Sequence, residues 1–287
     1  MKTKIQLKRN DNTVIFEYES EYNSVKRTLE AYIKKEKVSI GINEKVDLHS
    51  INLHKADLQG IDLSNTNLIN ADLIGANLDY AHLNYTNLTE AKLSNASLNN
   101  ADLSTCDLNG IDLHNSILYK ANLRGTNLCN SDLRDSNLSC VNLNSANLSN
   151  ADLRDSNLEG ADFKFANLSY ANLSYANLYF ASLMDAYLSH TNLKHTNLMH
   201  TILDNVNLFN ADLSEAILFC SKLTNSILEG ALLIASDLSY ADLRGANLDN
   251  ADLSGAKLKC ANLIKVDLRN AKLTNADLTD AKLSGWD

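Results

Sequence analysis

The leucines of this chain follow a strict period of five residues. Forty-eight consecutive five-residue units run from Val46 to Gly285 without an insertion or deletion, and the third residue of every unit is leucine, except in one unit, where it is Phe163. The residue two positions before the leucine is small or β-branched, most often alanine, and the other three positions are mostly polar. Self-similarity at a short fixed period indicates a repeat architecture.

A period of five excludes an amphipathic helix and favours an extended segment that ends in a turn. In a helix with about 3.6 residues per turn, each step of five would rotate the leucine by about 140° and distribute the leucines around the axis. In an extended segment, the leucine and the residue two before it point to the same side, and the remaining residues turn a corner. Repetition closes a coil, and stacked coils bury the leucines in a continuous interior.

Segments such as ADLSN, ADLRG, ANLSY and ADLSG resemble the A(D/N)LXX signature of the pentapeptide-repeat family, and the resemblance covers residues 46–285. It implies an all-β solenoid, a right-handed quadrilateral β-helix with four units per coil. Forty-eight units then form about 12 coils, which at ~4.8 Å per coil give a rod about 55–60 Å long. Leu148 is expected in the core between Leu128 and Leu168. Phe163 is also a core position and receives no functional role.

Residues 1–45 do not follow the repeat, and they predict a small α+β cap. Lys4–Lys8 and Thr13–Tyr18 are predicted to form a β-hairpin around the turn-forming cluster Asn10-Asp11-Asn12. A helix with one apolar face is predicted at about Ser24–Lys37. We expect this segment to cover the leucines and strand edges of the first coil, as similar leaders do in many bacterial and phage members of the family. The alternative is a partner-binding role for the basic face of the helix.

The other end of the repeat is expected to lack such a cover, because only a short tail, residues 286–287, follows it. Three arrangements are open: Trp286 folds over the last coil, two rods meet there, or the chain is truncated. We expect an end contact through Leu283 and Trp286. An end-to-end homodimer is the favoured form of it, since an uncovered strand edge is a template for pairing.

The charge is unevenly distributed. The formal net charge is −9, with +3 in residues 1–45 and −12 in the remainder. An acidic body without a basic stripe argues against direct binding of nucleic acid. The first ten residues are charged and do not resemble a signal peptide, and no stretch has the length of a membrane span. We therefore expect a cytoplasmic protein that does not contact a membrane.

The repeat geometry argues against a metal site, a disulfide or a catalytic site in several groups of side chains. His190, His195 and His200 occupy three successive sides of the coil and should point apart, so we expect no shared metal. The five cysteines show no CxxC spacing, and those that share a column lie too far apart for a disulfide. Stacked Asp and Arg side chains around Asp132 and Asp152 predict an ion network on a solvated face. A convex rod is not expected to hold a concave pocket, so we predict no enzymatic activity and no cofactor.

One part of the polar surface becomes aromatic. Between residues 165 and 220, many outward positions carry Phe, Tyr or Met. On the third side of the coil, side chains from successive coils are expected to form one contiguous patch. Its members are Tyr179, Phe180, Met199, His200, Ile217, Phe219 and Tyr240. Exposed apolar patches usually mark interaction sites, although stacked aromatic side chains also stabilise a sheet locally.

Three functional classes follow. The favoured one is a non-enzymatic, rigid protein-interaction scaffold with an unidentified partner; a purely mechanical spacer is a further class. The alternative comes from the resemblance, because some members of the family mimic B-form DNA and protect DNA gyrase from inhibitors. A duplex of this length carries about 34 negative charges, against −12 for the repeat region. The chain also lacks the projecting loops and the C-terminal dimerising helix of such members, so topoisomerase binding is the weaker expectation.

Overall fold

The computed structural model describes residues 2–21, 23–39 and 44–284. The regular elements are strand β1 (Lys2–Lys8), strand β2 (Val14–Glu21), helix α1 (Val25–Ser39), strand β3 (Val46–Asp47) and strand β4 (Thr66–Asn67). After β4, the described chain alternates two-residue turns with single-residue parallel bridges. Strands are therefore as short as the five-residue unit requires. No helix in the described ranges is both long and apolar enough to cross a bilayer.

Parallel pairing of each coil with the next organises the repeat region. Strand β3 pairs with β4 at an offset of one coil, and the same offset recurs in each parallel bridge up to that between Asn262 and Lys282. The leucine N–H groups contribute to this ladder: the N–H of Leu148 donates to the carbonyl of Asn167 in the next coil, at 2.7 Å. The offset equals four of the five-residue units, so each coil has four sides and like positions lie directly above one another.

The corner of each unit requires a left-handed backbone. The fifth residue of every unit from Ser50 to Asp280 has a φ between +53° and +70°, and eight of these residues are glycine. Asn and Asp tolerate this conformation better than other non-glycine residues. The Asp or Asn before the leucine also shapes the turn, because its side-chain oxygen accepts a backbone hydrogen bond two residues later. Asn147 Oδ1, for example, accepts from the N–H of Ser149 at 3.2 Å, which is an Asx turn.

The leucines form one continuous core. Leu128, Leu148, Phe163 and Leu168 are each 0% exposed. The first position of each unit up to Val266 is buried as well. Where this position holds Ser or Thr, the hydroxyl usually donates to the carbonyl of the preceding leucine, as Ser131 Oγ does to Leu128 at 2.7 Å. Thr86 and Thr191 instead donate to a leucine one coil below. Such hydrogen bonds satisfy the polar groups that this position places inside the coil.

The hairpin and the helix dock on the first coil. The carbonyl of Lys8 accepts from the N–H of Asn52 at 2.8 Å, and the N–H of Asn10 donates to the carbonyl of Ser50 at 2.7 Å, so β1 continues as a partner of the coil edge. Leu29 of α1 is 0% exposed and belongs to the same buried cluster as the coil leucines. Both the edge and the end of the leucine core are thus contacted by residues that lie before the repeat.

The leucines become accessible in the last described coil. Leu263 is 1% exposed, whereas Leu283 is 51% exposed. Leu268, Leu273 and Leu278 are only partly buried. Trp286, the second residue of the predicted end contact, lies outside the described residues.

Cys106 is part of the core, whereas Cys140 lies on the surface. Cys106 is 2% exposed, and its thiol donates to the carbonyl of Leu83 at 2.8 Å. Burial raises the pKa of the Cys106 thiol to about 12, so the reactive thiolate is scarce near neutral pH. Cys140 is exposed.

The core predicts a graded response to substitutions at Leu148. Leu148→Ala should lower the free energy of unfolding by about 2–5 kcal/mol, because it leaves a cavity in the leucine column. Leu148→Asp should lower it further, because a carboxylate would be buried without a partner. Urea denaturation followed by circular dichroism measures both changes. Lys259→Ala, at an exposed position, is the control and should change the stability by less than about 0.5 kcal/mol.

The cysteine environments predict selective alkylation of the folded protein. Brief treatment with iodoacetamide at about pH 8 should modify Cys140 and leave Cys106 unmodified, because the Cys106 thiol is both inaccessible and protonated. Peptide mapping by mass spectrometry measures the modified fraction at each position. The denatured protein is the control and should be modified at both cysteines. Similar modification rates at the two positions in the folded protein would contradict this placement of Cys106.

Candidate interaction surface

Seven side chains on one side of the coil form what we call the aromatic face. They are Tyr179, Phe180, Met199, His200, Ile217, Phe219 and Tyr240. Phe180 stacks on His200 with ring centroids 5.1 Å apart, His200 meets Phe219 edge-on at 6.2 Å, and Phe219 meets Tyr240 at 5.4 Å. Tyr179 contacts Phe180 at 4.3 Å. The aromatic rings therefore form an unbroken series across four coils.

The repeat register places these residues together. Phe180 and His200 are one coil apart and occupy the same corner column, while Tyr179 and Met199 precede them in the neighbouring column. Ile217 pairs with Asn197 below and with Asp237 above through parallel bridges. The predicted members of the patch are thus neighbours in space, although they come from four successive coils and are far apart along the chain.

The aromatic face is accessible to a partner. Phe180 is 58% exposed, Tyr240 is 53% exposed and Ile217 is 41% exposed. Tyr179, Met199, His200 and Phe219 are half-buried. Beside the rings, Asn197 Nδ2 donates to Asn177 Oδ1 at 2.9 Å, so a ladder of amides supports the same side of the coil.

The three histidines of one coil pack separately on the coil below. His190 stacks on Tyr170 with centroids 4.9 Å apart, and His195 stacks on Tyr175 at 4.6 Å. His200 belongs to the aromatic face. Each imidazole therefore lies on a different side, as the repeat geometry predicts.

In the described part of the chain, one group of three potential metal ligands converges: Asp112, His114 and Asp132 have ligand atoms within 4.8 Å of one another. His114 Nδ1 lies 2.5 Å from Asp112 Oδ1, and Arg134 pairs with Asp132 at 2.5 Å. The hydrogen bond from Arg134 is the main cause that lowers the pKa of the Asp132 carboxyl. Arg134 also approaches Asp152 at 3.7 Å. The group is one end of an ion network on a solvated face, where each pair contributes little to stability.

Two surface features of the rod differ from what the repeat pattern predicts. Ile227, Leu232 and Ile234 are 41%, 39% and 39% exposed, so apolar side chains continue onto two further sides of the rod. Ile227 and Leu232 occupy the position in the unit that normally holds Asp or Asn. This departure from the repeat is visible in the sequence and predicts exposed apolar side chains at these positions. An open groove of about 490 Å³, bordered by Phe165 and Tyr187, also corrects the expectation that the surface holds no concavity. It arises because exposed rings project on both sides of smaller polar residues.

Comparison with known proteins agrees with the repeat. A family model described as pentapeptide repeats matches in eight copies. The matched segments are residues 47–79, 71–110, 116–155, 146–179, 181–218, 216–255 and 246–285. The comparison with curated proteins gives no match.

Among solved structures, similar chains are pentapeptide repeat proteins or resistance proteins. HetL, a pentapeptide repeat protein involved in heterocyst differentiation regulation from the cyanobacterium Nostoc sp. strain PCC 7120, is 36% identical; the match covers 78% of this chain and 90% of HetL, with a TM-score of 0.39. Rfr23, from the cyanobacterium Cyanothece 51142, is 28% identical over 43% of this chain and 64% of its own, with a TM-score of 0.25. QnrB1, a plasmid-mediated fluoroquinolone resistance protein, is 18% identical over 74% and 86%, with a TM-score of 0.35.

The family match extends over most of the chain. The chain belongs to the pentapeptide-repeat family, whose members form right-handed quadrilateral β-helices.

Proposed function

We propose that this protein is a non-enzymatic, rigid interaction scaffold and that the aromatic face binds its protein partner. The observation that carries the proposal is the unbroken series of ring contacts from Phe180 through His200 and Phe219 to Tyr240. The exposed fractions of Phe180 and Tyr240 exceed one half. Aromatic side chains and Met are enriched in protein interfaces, and exposed apolar patches mark them.

The scaffold itself favours binding because it is already ordered. In the coils that carry the aromatic face, the backbone N–H groups of the leucines bond to the next coil and the leucine side chains are buried. A surface held in this way loses little conformational entropy when a partner binds. Local stabilisation accounts for the stacking of the rings, and the exposed surface of Phe180 and Tyr240 is available to a partner.

The aromatic face predicts loss of a partner when its rings are removed. The variant Tyr179→Ser, Phe180→Ser, Phe219→Ser should keep the circular dichroism spectrum of the parent and lose the proteins that the parent captures from its native cell extract. Quantitative mass spectrometry of the captured proteins measures the loss.

The matched control removes three exposed tyrosines from outside the aromatic face. Tyr80, Tyr85 and Tyr119 are 56%, 60% and 37% exposed, and the triple variant with serine at these positions should retain the captured proteins. If the aromatic-face variant keeps every interaction of the parent, the rings have only a local structural role.

We propose further that residues 1–45 cap the first coil. Support comes from the backbone hydrogen bonds of Lys8 and Asn10 to the coil edge and from the burial of Leu29 in the common core. The last described coil has no comparable cover among the described residues, and Leu283 is 51% exposed. We therefore propose an end-to-end homodimer through this coil, in which two leucine layers cover each other.

The homodimer predicts a concentration-dependent sedimentation coefficient. The parent should reach the mass of a dimer at high micromolar concentration, and Leu283→Glu should remain a monomer, because a carboxylate would be buried at the contact. Analytical ultracentrifugation measures both. Leu232→Glu, which changes an exposed leucine in a different coil, is the control and should sediment like the parent. A monomeric parent at all concentrations would rule out the homodimer.

Binding of a type II topoisomerase by mimicry of DNA is the weaker proposal. The repeat region carries a net charge of −12, and several of its carboxylates pair with cations, such as Asp152 with Arg154 at 2.6 Å and Asp242 with Arg244 at 2.7 Å. Such pairing reduces the resemblance to a phosphate backbone. A change in the supercoiling activity of purified gyrase when this protein is added at micromolar concentration would support this function. The absence of such a change would contradict it.

A further inference from the structure

We infer that the partner segment on the aromatic face is an extended stretch of apolar or aromatic residues with Lys or Arg at one end. This inference rests on the proposed function, because it specifies the chemistry of the partner at the same surface. It follows from the carboxylates that border the aromatic face and from the length of the face along the rod.

The coils around the aromatic face are acidic. Residues 156–245 contain nine Asp and Glu against four Lys and Arg. Some of these carboxylates are already paired, as Asp212 is with Lys194 at 3.0 Å. Others have no Lys or Arg partner in the described part of the chain, and two of them, Glu159 and Glu215, lie at the border of the aromatic face.

Glu159 lies at the lower end of the aromatic face. It precedes Tyr179 by one full coil and therefore occupies the same column directly below it. In the described residues, no cation pairs with its carboxylate. Glu215 lies at the corner just before Ile217, with a side chain that is 61% exposed, and its one ion-pair contact among the described residues is His195 at 3.5 Å. A partner thus meets one carboxylate at the lower end of the aromatic face and a second on its flank, about three coils higher, and no described Lys or Arg of this chain neutralises either.

The upper end of the aromatic face has a different charge. Lys257 pairs with Asp237 at 3.8 Å with a side chain that is 65% exposed, and Lys259 is exposed in the column of Phe219, two coils above it. Negative charge at one end and positive charge at the other favour one orientation of a bound segment, with its basic end over Glu159. Lys222, on the neighbouring side of the coil, is exposed and lies outside the aromatic face.

The length of the face fits a short extended peptide. Glu159 and Tyr240 are four coils apart, which corresponds to about 19 Å at ~4.8 Å per coil. An extended chain that advances about 3.3 Å per residue covers this distance with about six residues. Its alternate side chains would meet the rings, and its basic end would reach Glu159.

Three synthetic peptides of the same length test the inference: RRWLSWLS, QQWLSWLS and EEWLSWLS. The protein is labelled with ¹³C-methyl methionine, which places one probe on the aromatic face, Met199, and another on the adjacent side of the coil, Met184. At low salt and about pH 8, above the range in which histidines ordinarily titrate, the basic peptide should shift the Met199 methyl resonance and leave that of Met184 unchanged. It should bind about tenfold more tightly than the acidic peptide, and this ratio should shrink at about 0.5 M salt, which screens the charges.

Substitutions in the protein distinguish the contribution of the two carboxylates to peptide affinity from that of the aromatic rings. Glu159→Gln with Glu215→Gln should bring the affinities of the basic and acidic peptides close together and leave the affinity of the neutral peptide unchanged. Glu90→Gln, which removes an exposed carboxylate far from the aromatic face, is the matched control and should preserve the ratio. The aromatic-face variant with three serines should lose affinity for all three peptides.

The outcomes distinguish the two proposals. If the three peptides shift the Met199 methyl resonance with equal affinity, or if the double Gln variant keeps the ratio of affinities, the partner segment has no preference for a basic end. The aromatic face then remains the proposed docking surface. If no peptide shifts Met199 at millimolar concentration, both the partner chemistry and the proposed docking surface are overturned.

Discussion

The parallel pairing of each coil with the next coil is the constraint on which the rest of the structure depends. It aligns the N–H of Leu148 with the carbonyl of Asn167 and, at the same time, places Leu148 in one column with Leu128 and Leu168. A single inserted residue would break both alignments, because side chains alternate between the interior and the surface. The unbroken period of the sequence is the consequence of this double requirement.

Because the ladder and the leucine column are sufficient to define each coil, the outward positions are free to vary. Ile217 occupies the position that elsewhere forms an Asx turn, yet the corner residue of its unit, Cys220, keeps a φ of +56°. Ile227 and Leu232 make the same substitution in the units that follow. The rod therefore carries apolar groups on its surface without a change in its backbone, and this tolerance allows the aromatic face to form on a structural repeat.

The aromatic face combines a rigid support with an asymmetric electrostatic border. The amide ladder through Asn177 and Asn197 holds the side of the coil on which the rings lie. Glu159 borders the rings at one end, Glu215 flanks them in the coil of Ile217, and Lys259 lies beyond the other end. Apolar contact supplies most of the favourable free energy of such an interface, while the charges determine the choice and the orientation of the partner.

The coil and its columns follow from the amino-acid sequence alone. The period of five identified the buried leucines, and the step of four units per coil placed Tyr179 and Phe180 beneath Met199 and His200, because a repeat without insertions converts sequence separation directly into position. The hairpin and helix before the repeat were also predicted, although the structure extends both strands and ends the helix at Ser39.

How the side chains meet across coils depends on the three-dimensional structure. Phe219, for example, contacts Tyr240, which belongs to the neighbouring column of the next coil. The docking of Lys8 on Asn52 and the groove beside Phe165 and Tyr187 likewise depend on contacts outside the five-residue period. A repeat fixes where each backbone position lies, but rotamers, ion pairs and exposed areas are set by the particular side chains that surround each position, and those differ from one coil to the next.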